Sequence, residues 1–441
     1  APAAAKGRIV ATAQLDRYRQ GIRPLIVELY GHGLTLSAIA REMNRRGIQS
    51  EIGWMAGERD ALRARDEVVV HRLPRAAMRV DDPPPELAGL TRAWLDGSDR
   101  PDLLHFHTFG RSEEEVATLA LERNIPFAFT YHSPSWTCRR ETLLRWGHTV
   151  CDGEVRPLRC SACLLQERLG GPPWLGGLGA LGSGLAGPLI PRGPWRRRLA
   201  FTADTARLRG AVHHFLGACS LNIACAEWSI PLLRLNGARP DSILHLPQGV
   251  PEGFHGGPVC RPSPEHFVVG YIGRMIEIKG LHILVEAFRR VAYARARLRV
   301  CGWSEAPELA AYGRRLKKLA GDDPRIAFIP EKPAAEIPAE YAQLSLLAIP
   351  SAWLETGPLT LLEALSAGVP VYASSLIGQR GLLERNGRIV EPNSPAAWTA
   401  ALEEACRLHE AGRWSARPLA EPIPTMDDVS EQMAHAYSAA E

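Results

Sequence analysis

Short apolar runs alternate with amphipathic stretches along most of the chain. The runs predict strands over 24–30, 49–54, 68–73, 102–108, 126–131 and 216–224, with helices between them, for example over 35–46 and 112–123. Strands separated by helices read as βαβ units and parallel sheets. The near-continuous apolar run of residues 127–131 suits a strand covered on both faces. Pro and Gly then crowd residues 247–264, which reads as a linker, and the pattern restarts. The second series predicts strands over 267–272, 298–302, 326–329, 344–350 and 369–373, and helices over 281–294 and 359–367. A last helix over 426–440 follows a Pro-rich stretch. The expected class is α/β: two doubly wound domains, 1–250 and 251–424, with 425–441 crossing back to the first. Ligands are expected in a cleft between them, at the carboxyl ends of strands. Residues 8–15 read as an extra strand of uncertain place, and 134–200 as an insertion with its own character.

Composition narrows the class. With 441 residues, 46% apolar and 23% charged, the chain is neither disordered nor collagen-like. No run approaches the roughly 20 apolar residues of a spanning helix, and residues 1–6 lack the apolar core of a secretory signal. A net charge of +4 over this length does not announce a nucleic-acid partner. Residues 26–47 superficially resemble a helix-turn-helix, but they feed the strand over 49–54. Nine Cys, an odd number in a long chain, predict reduced thiols and a cytoplasmic setting.

Two segments carry candidate chemistry. In Ser351-Ala-Trp-Leu-Glu355-Thr-Gly-Pro-Leu-Thr-Leu-Leu-Glu363, one Glu follows a strand and the other lies inside a helix that Gly357 and Pro358 open. A helix start presents unpaired N–H groups and a positive dipole end, which suits a diphosphate. The competing reading is two ordinary surface Glu. In Gly273-Arg274-Met-Ile-Glu-Ile-Lys279-Gly280, two cations follow another strand. Arg forks onto phosphate oxygens and Lys acts as a point charge. Lys is rare here, with five in the chain, which favours a chemical role over a solvated loop.

Together these segments resemble retaining glycosyltransferases of the GT-B fold, specifically family 4. The shared positions are Gly273, Arg274, Lys279, Gly280, Glu355, Glu363, Ala364, Gly368, Pro370 and Val371. Residues 245–250 look like the family's interdomain connection, with Gln248 where Asn is commoner. The resemblance implies two Rossmann-like domains facing a central cleft. It implies that Arg274 and Lys279 bind the diphosphate of a nucleotide sugar and Glu363 the ribose hydroxyls. Glu355 would touch the transferred sugar, and backbone N–H groups at Gly357, Pro358's neighbour Leu359, and Thr360 would cap the phosphates. It also implies catalysis with no cofactor and no divalent metal.

The first domain matches more loosely. Gly31 and Gly33 sit where the family has a Gly-rich loop near donor and acceptor. His132 looks like the family's strand-end histidine, hydrogen-bonding the transferring sugar. His105 and His107 end another strand, where a buried wall residue is the competing reading. Cys138, Cys151, Cys160 and Cys163 suggest a structural zinc site, against free thiols or a labile disulfide. A subset of the family has a similar Cys-rich loop. Residues 170–191 are apolar, Gly-rich and uncharged, and Arg196, Arg197 and Arg198 follow. That composition suits peripheral contact with a membrane, at its inner face, through 170–198. The Gly content predicts a flexible flap there, not a helix. The expected activity is transfer of a sugar from a nucleoside diphosphate to a glycan, lipid-linked or small-molecule acceptor. Polysaccharide or lipid-linked glycan assembly is the expected context. Natural-product glycosylation, an epimerase of the same fold and a non-catalytic sugar-binding module are the alternatives.

Overall fold

A computed structural model describes residues 24–28, 51–56, 69–74, 83, 85–97, 100–186, 200–254, 263–304, 307–415, 419 and 422–440. Gly31, Gly33, Cys260, the helix expected over 35–46, the strand expected over 8–15 and Arg196–Arg198 lie outside them. The chain falls into two compact units. One comprises residues 1–247 and 427–441, the other 248–426.

The first unit holds a parallel sheet of β1 (Pro24–Glu28), β2 (Glu51–Ala56), β3 (Val69–Pro74), β4 (Leu103–Phe106), β5 (Phe127–Tyr131), β8 (Leu221–Ala224) and β9 (Ile243–His245), with the hairpin β6 (Leu144–Arg145) and β7 (Thr149–Val150) apart from it. Its spatial order is β3-β2-β1-β4-β5-β8-β9. β4 and β5 are buried along their whole length, as strands with both faces covered must be. Phe106, Phe127 and Phe129 pack around Phe215 of the helix Phe201–Ala218, with ring centroids 5.2–5.5 Å apart.

The second unit holds β10 (Phe267–Ile272), β11 (Ala296–Trp303), β12 (Ile326–Pro330), β13 (Leu346–Ile349), β14 (Val371–Ser374) and β15 (Gly387–Val390), all parallel, in the order β12-β11-β10-β13-β14-β15. Counted within the unit this is 3-2-1-4-5-6, the doubly wound nucleotide-binding order. The pleat sends alternate residues to opposite faces. Leu346 and Ala348 of β13 join one apolar layer with the helices Leu281–Arg290 and Pro395–Glu410. Leu347 and Ile349 join the other, with the helix Leu359–Ser366.

Three expectations are corrected. The strand expected over 216–224 begins at Leu221, because residues up to Ala218 continue the preceding helix. The short strands β9 and β15 were not anticipated. The flap expected over 170–191 contains a helix, Pro173–Ala186. Each Gly costs an isolated helix about 1 kcal/mol, but here packing decides. A Cβ on Gly176 would stand 2.3 Å from the Ala162 carbonyl oxygen, so the absence of a side chain lets this helix lie against the helix Pro157–Leu169. Gly176, Ala180 and Ser183 face inward, while Trp174, Leu178, Leu181 and Leu185 are exposed along the other side. Among the described residues no helix is long and apolar enough to cross a membrane.

Candidate active site

In the second unit the strand order reverses between β10 and β13. Loops leaving the carboxyl ends of those two strands diverge, one to each face, and leave a crevice where ligands bind in such sheets. The two sequence segments singled out above are these loops. β10 ends at Ile272 and gives way to Gly273 (φ +143°), Arg274 and the turn Glu277–Lys279. Gly280 follows in the left-handed region at φ +70° and starts the helix Leu281–Arg290. A Cβ there would lie 1.9 Å from the carbonyl oxygen of Pro350, the residue after β13. Glycine thus brings the two loops into backbone contact, and the Ala352 N–H donates to Ile278 O at 2.8 Å.

This contact places Lys279 against Glu355. Lys279 Nζ donates to Glu355 Oε1 at 2.8 Å, and Ser351 Oγ donates to the same oxygen at 2.5 Å. Glu355 is 3% exposed. Lys279 is more open and its ammonium lies 5.2 Å from the centre of the Trp353 ring. The ammonium has three donors, so one bond to Glu355 leaves two for a ligand. Arg274 is exposed on the same loop, and Tyr271 OH donates to its carbonyl at 2.8 Å. The β13 loop is braced from behind: Asn393 Nδ2 donates to both Pro350 O and Ser351 O at 3.0 Å, and Ser374 Oγ donates to Ser351 O at 2.7 Å.

The helix Leu359–Ser366 starts at Pro358 with no side-chain cap. Gly357 (φ +139°), Pro358, Leu359 and Thr360 therefore form an uncapped helix start beside Glu355 in the chain. Glu363 lies one turn in. Burial pushes its carboxyl above the usual range, and Tyr341 OH, donating to Oε2 at 2.8 Å, partly offsets this. Tyr341 is fully buried at the end of the helix Ile337–Tyr341 and had no signal in the sequence. Ser351 had one, being the last apolar-strand neighbour of the motif.

In the first unit, β4 and β5 each contribute polar residues two apart, hence on one face. His105 Nε2 meets Thr130 Oγ1 at 2.7 Å, and His107 Nδ1 meets His132 Nε2 at 2.8 Å. Tyr437 of the helix Met426–Ala440 hydrogen-bonds the Nδ1 of His105. Burial holds His105 at about 3 and His107 well below the usual histidine range, so both rings are neutral. Thr130 and Tyr437 were not foreseen as partners.

Cys138, Cys151, Cys160 and Cys163 line one cavity of about 30 Å³. Backbone N–H groups of Trp146 and Arg156 donate to the sulfurs of Cys163 and Cys160, each at 3.3 Å. Four Cys line this cavity, and thiolate is a donor type that zinc takes. Among the described residues no three His, Cys, Asp or Glu are drawn together as a metal shell.

Comparison with known proteins decides the class. Residues 266–407 match the family model "Glycosyl transferases group 1", and residues 31–173 match "Glycosyltransferase Family 4". The chain carries glycosyltransferase domains of the group 1 and family 4 kinds. D-inositol 3-phosphate glycosyltransferase of Corynebacterium glutamicum is 31% identical over 143 residues, 31% of this chain and 34% of that protein. The enzyme of the same name from Segniliparus rotundus is 28% identical over 198 residues, 41% of this chain and 44% of that protein. The matches thus span about a third to under a half of these relatives' length. Among solved structures, Anabaena HepE in complex with UDP and glucose aligns with a TM-score of 0.60 at 16% identity, over 95% of this chain and all of that one. Sucrose-phosphate synthase from Thermosynechococcus elongatus aligns at 0.64 and 15% identity, over 95% and 98%. These likenesses establish the fold, two Rossmann-like domains of the GT-B type. The β10 and β13 loops lie within the group 1 domain; the His ladder and the four Cys lie within the family 4 domain.

Proposed function

We propose that this protein is a retaining glycosyltransferase that moves a sugar from a nucleoside diphosphate to an acceptor hydroxyl. The observation that carries the reading is the Lys279–Glu355 pair at the crevice between β10 and β13: a buried carboxylate and a half-open ammonium, 2.8 Å apart, beside an uncapped helix start. Arg274, Lys279 and the N–H groups near Gly357–Thr360 take up the diphosphate charge, and Glu363 holds the ribose hydroxyls. Glu355 lies against the sugar and stabilises positive charge at its anomeric carbon, and His132 is kept as a candidate hydrogen-bonding group of the first unit. The bond from the anomeric carbon to phosphate oxygen breaks and the bond to the acceptor oxygen forms on the same face. The acceptor's proton passes to the departing phosphate, so configuration is retained. Fixed cations aimed at developing charge do the electrostatic work that a divalent metal does elsewhere. HepE holds UDP and UDP-glucose in solved structures, which makes UDP-sugars the first donors to try.

Two acceptor classes have separate support. The exposed stripe Trp174, Leu178, Leu181 and Leu185 favours a lipid-linked glycan met at the inner face of a membrane. The names of the curated relatives favour a small phosphorylated polyol. In the same reading the four cavity-lining Cys close on a structural zinc ion, which ties the helix Pro157–Leu169 to the loop before it. Turnover of a UDP-sugar by Glu355→Gln tests the catalytic assignment. A loss of roughly 10²-fold or more is expected for one transition-state contact; near-wild-type turnover sinks it.

A further inference from the structure

The His ladder of the first unit raises a question that the sugar-transfer reading leaves open: which nitrogen of His132 carries the proton. His107 is 6% exposed, and its ring stacks on His132 with centroids 5.1 Å apart and planes 19° from parallel. Its Nδ1 lies 2.8 Å from His132 Nε2, so one proton lies between the two rings. Among the described residues the buried Nε2 of His107 has no hydrogen-bond partner. The other ring nitrogen of His132, Nδ1, faces the sulfur of Cys225 at 4.0 Å.

Two proton arrangements satisfy the short contact. In one, His132 Nε2 donates to His107 Nδ1. The neutral His107 then carries its own proton on Nε2, an N–H buried without an acceptor. In the other, His107 Nδ1 donates to His132 Nε2, and His107 Nε2 keeps only a lone pair. Buried N–H groups without acceptors are the rarer defect in folded proteins. The second arrangement also leaves His132 with its proton on Nδ1, where the Cys225 sulfur accepts weakly. Burial keeps the Cys225 thiol protonated, with its pKa pushed up to about 12, so it does not compete as an anion for that proton.

We infer that His107 fixes His132 in the neutral tautomer protonated on Nδ1, so that Nε2 is taken up by His107 and a ligand oxygen that displaces the weak Cys225 contact meets an N–H donor and not a base. His107 is then a positioning residue: it touches no substrate and acts through the ring beside it. His105 and Thr130 pair on the adjacent rung, and the His105 ring lies against that of His107 with centroids 4.1 Å apart. The inference rests on the glycosyltransferase reading only for the identity of the ligand.

The test needs no substrate. The full chain is labelled with ¹⁵N-histidine, and long-range proton–nitrogen spectra are recorded, with His132 assigned by its loss in His132→Gln. The expected wild-type pattern is protonated Nδ1 and bare Nε2 at His132. In His107→Leu the proton moves to Nε2, the ordinary preference of a free imidazole. In His107→Asn, whose side-chain amide reaches the place of Nδ1 but not of Nε2, the wild-type pattern returns. A wild-type His132 protonated on Nε2, or a pattern unchanged in His107→Leu, overturns the inference. The wild-type spectrum alone decides if the Leu variant does not fold. Failure of the functional reading would show separately, as absence of nucleotide binding by a protein with the expected spectrum.

Discussion

Gly280→Ala is the sharpest structural perturbation available, because two independent costs meet at one position. The residue sits at φ +70°, which costs a side chain about 1–2 kcal/mol. Its new Cβ would also lie 1.9 Å from Pro350 O, where real Cβ contacts essentially never fall below 3.0 Å. The loops must part by at least about 1.1 Å, the difference of those two distances. Pro350 O cannot simply yield, since Asn393 Nδ2 holds it at 3.0 Å and is itself fixed by the Trp398 indole at 2.7 Å. Strain plus displacement amounts to about 3–5 kcal/mol, the range of severe single substitutions. Gly412→Ala supplies the control: φ is +64°, and no atom lies within 4 Å of the added Cβ. It bears the dihedral cost alone, about 1 kcal/mol, partly offset by the lower entropy of the unfolded chain. Urea unfolding with linear extrapolation measures both. Gly280→Ala should lose at least about 2 kcal/mol more than Gly412→Ala. A movement of about 1 Å at Lys279 should also cut sugar transfer by about 10². Equal losses of stability in the two variants would show that the loops do not depend on this approach.

Lys279→Met takes the ammonium away from a buried carboxylate and leaves it the Ser351 hydroxyl, whereas Glu355→Gln leaves an ammonium that can turn to water. The first should cost about 2–3 kcal/mol and the second about 1 in the same titration, and the reverse order would refute the geometry. Tyr341→Phe removes the bond that holds the Glu363 carboxyl down against burial. The raised pKa then rises further, so stability is fullest below the unfolded carboxyl range and is lost as pH rises through a higher folded value. The acid limb of nucleotide binding should move up in pH accordingly, as read by titration calorimetry; an unmoved limb removes Tyr341 from the site. Metal analysis of protein purified without chelator should find about one zinc per chain, lost together with fold stability in Cys160→Ser/Cys163→Ser. Metal-free, fully folded protein contradicts the zinc assignment. Leu178→Ser/Leu181→Ser should abolish flotation with vesicles containing anionic phosphatidylglycerol, and equal, negligible flotation of wild type removes the membrane contact.

The alternation of apolar runs made both sheets legible, because parallel strands buried on two faces leave continuous apolar stretches such as Phe267–Ile272, whose expected and observed bounds coincide. β9 and β15 were missed because three or four residues, one of them basic, leave too little pattern. The helix Pro173–Ala186 was missed because local propensity argued against it and long-range packing overrode propensity. The candidate site was legible where it follows a strand directly: Arg274, Lys279 and Glu355 follow strands that the fold makes neighbours. Its supports were not. Tyr341 reaches Glu363 across 22 positions, and Tyr437 reaches His105 across 332. The contact of His132 Nε2 with His107 is another such support, which no spacing rule anticipates.

The central claim is that the crevice beyond β10 and β13 binds a nucleoside diphosphate. Thermal unfolding of the whole chain with UDP, GDP, TDP and ADP, alongside Lys279→Ala, tests it most directly. A ligand at about 100 times its dissociation constant adds roughly 2.7 kcal/mol to stability. A raised midpoint with one of these nucleotides, reduced or lost in Lys279→Ala, is the predicted result. No shift with any of them, or a shift that Lys279→Ala leaves intact, would contradict the account.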